Sequence, residues 1–207
     1  MNPGLSIFLV RAFALLLPAG AWASAVPEAR EGDLIFHQSR SSQSLAVQQV
    51  TRSPYSHMGV VLLHRGRPHV YEASATVRYT PLAQWIARGE GGRYVLKRLR
   101  HADRLLDASA LQRLHRSAAT FEGRAYDLTF EWSDTRLYCS ELVWKLYRQA
   151  LGLELGQRQR IRDFDLSAPA VQVKLRERYG DKVPLDEPVI SPVAMFESAL
   201  LVEVASH

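Results

Sequence analysis

The 207-residue sequence has a single cysteine, Cys139. It therefore cannot form an internal disulfide or a multi-cysteine zinc or iron–sulfur site. It also lacks a long apolar run: the stretch that follows Arg11 falls short of the ~20 residues that span a bilayer. Charge of one sign never collects into a block. The 26 Lys and Arg and 21 Asp and Glu leave a net +5. These charges are spread along the chain, so no nucleic-acid footprint is expected. Internal repeats and linker-like tracts are missing, and 12 Gly with 10 Pro do not suggest low complexity. With 47% apolar and 23% charged residues, the chain is neither disordered nor fibrous. Its length allows one domain, or two small ones.

The N-terminus carries a recognisable leader. Arg11 precedes a short apolar run broken by Pro18, and both Ala21-Trp22-Ala23 and Ala23-Ser24-Ala25 have the small-x-small form of a secretory cleavage site. Residues 1–25 are read as a signal peptide cleaved after Ala23 or Ala25; an uncleaved anchor is the alternative. Residues 26–207 then form a single exported domain, periplasmic or secreted. Export sharpens the question of Cys139. A lone thiol in an oxidising compartment is either buried and inert or kept for its reactivity.

Periodicity gives a coarse map. Strands are expected at 33–36, 57–64, 68–73 and 93–99, with Arg65-Gly66 as a two-residue turn. Helices are expected at 42–51, 107–121 and 167–179. Another runs from Thr80 (as N-cap, with Pro81 at the first helical position) to about residue 88. The strongest helix spans 140–151; its apolar stripe is Leu142, Val143, Leu146, Tyr147 and Ala150, and Gly152 ends it. Ser191-Pro192 opens a final short element. The class is α+β, a small antiparallel sheet covered by helices.

Three places carry chemistry. Cys139 stands at the start of the strongest helix, where unpaired N–H groups and the dipole favour a thiolate and could hold an oxyanion. His57 sits where a loop enters an apolar strand, and histidine is the usual base for a cysteine nucleophile; a structural histidine is the plainer reading. Glu72 follows from register. If Arg65-Gly66 is the loop, His64 pairs with Arg67 and Gly59 lies opposite Glu72. His57 and Glu72 then share a face as diagonal neighbours. A carboxylate there can orient the imidazole, whereas a one-residue slip would turn it away. His37, His64, His69, His101 and His115 have no nucleophile-like context. His64 and His69 have no carboxylate or thiol at metal-ligand spacing.

Taken in order, Gly32-Asp33-Leu34-Ile35-Phe36, Ser56-His57-Met58-Gly59-Val60, Tyr71-Glu72-Ala73, Tyr126-Asp127 and Tyr138-Cys139-Ser140-Glu141-Leu142-Val143 resemble the YiiX/YebB-like proteins. These are circularly permuted relatives of the NlpC-type, papain-fold cysteine hydrolases. The resemblance runs from about residue 32 to 155, and more weakly through Ser191-Pro192. It implies a circularly permuted papain-like fold with Cys139 as nucleophile, His57 as base and Glu72 as the third polar residue. Gly123-Arg124-Ala125-Tyr126 resembles the segment whose tyrosine helps form the oxyanion site, with Asp127 supporting its loop. Ser140-Glu141 departs from the Ser-Gly of common NlpC-type enzymes and fits the permuted branch. No metal or organic cofactor is implied.

The expected function is an exported cysteine hydrolase that cleaves peptide-like amides, peptidoglycan among them, through an acyl-enzyme. A lipid or ester acyl hydrolase or transferase and a non-catalytic binding module are the alternatives. A narrow polar pocket above Cys139 would favour the first, a long apolar groove the second. Arg88, Arg93, Lys97, Arg98 and Arg100 read as a solvated basic face. Peripheral contact with membrane or wall stays open, and no obligate protein partner is evident.

Overall fold

The computed structural model describes residues 28–207; the leader assigned to residues 1–25 lies outside them. Along the chain come β1 (Leu34–His37), α1 (Ser44–Thr51), β2 (His57–His64), β3 (Arg67–Ala73), β4 (Val77–Pro81), α2 (Leu82–Arg88), β5 (Val95–Leu99), α3 (Ala102–Leu105) and α4 (Ala108–Phe121). They are followed by β6 (Ala125–Tyr126), β7 (Arg136–Leu137), α5 (Cys139–Leu151), β8 (Gln159–Arg160), α6 (Pro169–Tyr179), β9 (Pro188–Val189), α7 (Pro192–Phe196) and β10 (Leu201–Ser206). Six strands form one antiparallel sheet in the order β10-β5-β1-β2-β3-β4.

Strand alternation sorts side chains onto two faces. Phe36, Met58, Val60, Leu62 and Tyr71 join α4 and α5 in the larger core. Ile35, Val61, Val70 and Leu96 meet Leu82 and Trp85 of α2 on the other face. Helix α5 buries its whole expected stripe, and Gly152 ends it in the left-handed region at φ 70°. Asp107 caps α4 by accepting the Ala110 N–H at 2.7 Å.

The β2–β3 register is the one expected, with His64 opposite Arg67. Arg65 and Gly66 both have positive φ, 52° and 72°, the backbone of a two-residue hairpin turn. Gly59 sits where a Cβ would come within 2.8 Å of the Tyr71 carbonyl oxygen, so only glycine fits that close crossing.

Three expectations are corrected. Thr80 is not a helix cap. It lies in β4, paired with Val70, and the helix begins at Leu82. Its hydroxyl is drawn inward to a buried carboxylate, and Pro81 ends an outer strand that needs no further donor there. The C-terminal strand β10 was not anticipated; it pairs with β5 through an irregularity between Glu203 and Ala205. The basic residues after position 87 do not form one solvated face. Arg88 bonds Glu72, Arg98 grips buried Asp33 with two bonds of 2.7 Å, and Lys97 lies 4.0 Å from the Phe196 ring centre.

Candidate active site

Cys139 is the first residue of α5 and is 4% exposed. Both residues beside it tie the helix start to the chain ahead of α7. The Tyr138 hydroxyl accepts the Ile190 N–H at 3.0 Å, and Ser140 Oγ donates to the Ile190 carbonyl at 2.7 Å. Helix α5 packs on β2, which brings the thiol to His57 at that strand's first position.

The His57 ring bridges the other two groups. Its Nε2 donates to Glu72 Oε2 at 2.7 Å, and Cys139 lies close enough to the ring for each to shift the other's ionisation. With Nε2 committed to Glu72, Nδ1 is the atom left for sulfur. Burial alone pushes the Cys139 thiol up. The hydrogen bond and charge of His57, helped by the Met58 and Ser140 N–H groups, outweigh it and bring the thiol below its usual value. Burial likewise opposes charge on His57, but Cys139 and Glu72 raise its pKa to about 9. Each group stabilises the ionised form of the other.

Glu72 is fully buried. Besides His57 it accepts Thr80 Oγ1 at 2.5 Å, Trp85 Nε1 at 3.0 Å and a guanidinium nitrogen of Arg88. Burial would raise this carboxyl, yet His57, Thr80 and Arg88 hold it at about 2. His37 lies opposite His57 across β1–β2. Its ring stacks on Trp85 at 3.9 Å, and its pKa falls to about 3 through burial and the neighbouring charges of His57 and Arg88. It stays neutral and packs as an aromatic plate.

Tyr126 faces the same cavity as Cys139. Its pKa is raised first by burial and then by the negative charge at Cys139. Fully buried Asp127 holds the following loop, accepting the Thr129 N–H at 2.8 Å and the Glu131 N–H at 2.6 Å. Of the four residues expected to act together, Cys139 thus has His57 beside it and shares a cavity with Tyr126, while Glu72 stands behind the imidazole. Thr80, Trp85, Arg88 and Gln43 were not anticipated. Trp85 and Arg88, three apart on one short helix, were the only sequence signal for a polar lid over Glu72.

A cavity of about 120 Å³ opens beside Cys139, walled by α1, α6 and the segments around Phe164 and Ile190. Val47, Val50, Ile161, Phe164, Leu166 and Ile190 dominate its surface. The polar side chains among its walls are engaged within the protein: Ser56 with Ser44 at 2.6 Å, Thr51 with the Val47 carbonyl at 2.7 Å, and Arg178 with Gln43 at 2.7 Å. What is left for a ligand is mainly apolar contact.

A papain-like sheet and helix carrying a histidine-paired cysteine define a cysteine hydrolase of the amidase type. The chain belongs to the permuted papain-like amidase enzymes, YaeF/YiiX, C92 family, which it matches over residues 28–204. It is 46% identical over 199 residues to the uncharacterised protein YiiX of Escherichia coli K12, covering 96% of this chain and 95% of that one. It also resembles the crystal structure of the metalloprotein YiiX from Escherichia coli O157:H7. There the identity is 48% and the TM-score 0.83, over 86% of this chain and 98% of that one.

Proposed function

We propose that this protein is an exported amidase that removes an apolar acyl group from an amide through a thioester on Cys139. The observation that carries this reading is the apolar cavity opening at the sulfur. Its lining supports the acyl alternative over the peptide-like or peptidoglycan substrate first expected, because a polar peptide would find few free partners there.

The roles follow from the geometry. The Cys139 thiolate attacks the amide carbonyl. The Cys139 N–H, unpaired at the helix start, and the Tyr126 hydroxyl hold the oxyanion. Protonated His57 gives its proton to the departing amine, leaving a thioester. Neutral His57 then takes a proton from water, which releases the acid and restores the thiol. Glu72 fixes the ring and supports its charge. The O157:H7 relative is named a metalloprotein. In this chain, among the described residues, no three His, Cys, Asp or Glu are placed to share a metal, and both oxygens of Glu72 are taken. The residues do not fit a metal, so no step is routed through one.

The test compares N-octanoyl with N-acetyl 4-nitroanilide. Each buried methylene contributes about 0.8 kcal/mol, so the longer chain should gain roughly 10²-fold or more in kcat/KM. Equal rates, or faster cleavage of a short polar peptide anilide, would overturn the acyl reading. N-terminal sequencing of the exported protein should begin at Ser24 or Val26; retention of residues 1–25 would overturn cleavage.

A further inference from the structure

Gln43, just ahead of α1, reaches across the cavity wall in two directions. Its Nε2 donates to the Tyr126 hydroxyl oxygen at 3.2 Å, and its Oε1 accepts from Arg178 of α6 at 2.7 Å. The Arg178 guanidinium is itself seated 4.8 Å from the Phe130 ring centre. A guanidinium has donors only. It therefore dictates that the carboxamide turns its oxygen to α6 and its nitrogen to Tyr126. With an amide donor on its oxygen, the Tyr126 hydroxyl is left to donate its own proton, and Tyr126 lines the cavity that opens at Cys139.

We infer that Gln43, set by Arg178, is a positioning residue that fixes the Tyr126 hydroxyl as a donor to the oxyanion formed above Cys139. This rests on the Cys139–His57 acyl-transfer reading. The relay predicts that the direction of the Gln43–Tyr126 bond matters more than its presence. A glutamate at this position would bind Arg178 at least as well, but it can only accept. It would draw the tyrosine proton away from the oxyanion.

Two reactions of the same sulfur separate the roles. Acylation by 4-nitrophenyl acetate forms the S–C bond through an oxyanion and expels 4-nitrophenolate. Alkylation by iodoacetamide displaces iodide with no such intermediate. Removing one oxyanion donor typically costs 10²–10³-fold. Tyr126→Phe should therefore slow acylation by about that much, Gln43→Leu by roughly 10-fold, and Gln43→Glu by more than Gln43→Leu. Alkylation should stay within about twofold in all three, and thermal melting shows whether each variant is folded. In a Tyr126→Phe background, Gln43→Leu should add nothing.

The inference is overturned if Gln43→Glu acylates like the parent, if acylation and alkylation fall together in a folded variant, or if the two substitutions are additive. Loss of the underlying reading looks different. Alkylation of Cys139 would then run at the same rate in the parent and in His57→Ala. Failure of the acyl-chain reading differs again, since 4-nitrophenyl octanoate would then react no faster than the acetate.

Discussion

Two glutamates near the thiol are wholly buried, Glu72 on the sheet side and Glu141 on the helix side. Glu72 is met by an imidazole, a hydroxyl, an indole and a guanidinium, and its pKa is drawn down to about 2. Glu141 has the Lys145 ammonium at 2.8 Å and the Tyr138 N–H at 3.4 Å. There burial prevails, and its pKa rises to about 7. Burial is the same, but the company differs. A sealed carboxylate keeps its charge only when enough donors replace the lost water. The sheet side therefore supplies a permanent anion for His57, whereas the helix side supplies a carboxyl that changes charge near neutral pH.

The contrast can be broken from either side. His57→Ala removes the group that the sheet-side anion serves. It should lower kcat/KM for the octanoyl anilide by about 10³-fold and abolish rapid iodoacetamide labelling of Cys139 at pH 6. Glu72→Gln keeps the shape but removes the charge. A fall of roughly 10²-fold is expected, and the basic limb of the pH profile, near pH 9 in the parent, should move to lower pH because Glu72 is one of the groups that raise His57. A limb left in place would assign that support elsewhere.

Glu141 bears on stability more than on turnover. Its folded pKa of about 7 lies above the ordinary 4.5. Its contribution is therefore full below pH 4.5 and is lost as pH rises through 7. Between pH 5 and 8 the loss should reach roughly 2 kcal/mol, read as a falling Tm that Glu141→Gln flattens. The smallest effect is the activity of Glu141→Gln at pH 7, expected within about threefold of the parent. A loss as large as that of Glu72→Gln would erase the distinction between the two sides.

Local pattern put Cys139 at a helix start and Glu72 on the face of His57, but it left a structural histidine as the plainer reading of His57, and the family resemblance supplied the three roles. Arg65-Gly66 sets the hairpin, Gly59 marks the close crossing, and the apolar stripe of α5 leaves Cys139 at its first turn. The donors around Glu72 were hidden because Thr80-Pro81 has the form of a helix start, while pairing with β3 makes it the end of a strand. Gln43 and Arg178 were hidden for another reason. They lie 83 residues from Tyr126 and 135 residues from Gln43 respectively, and contacts so distant leave no periodicity to read. Val204 and Ala205 were likewise unremarkable until β5 provided a partner for β10.

The clasp on Ile190 has a mechanical consequence. Both backbone groups of that residue are held by the neighbours of Cys139, and its side chain forms part of the cavity wall. The residue that helps close the cavity is therefore also the anchor of the turn that carries the sulfur. Wall and nucleophile share one tether, made of two hydrogen bonds to a single residue.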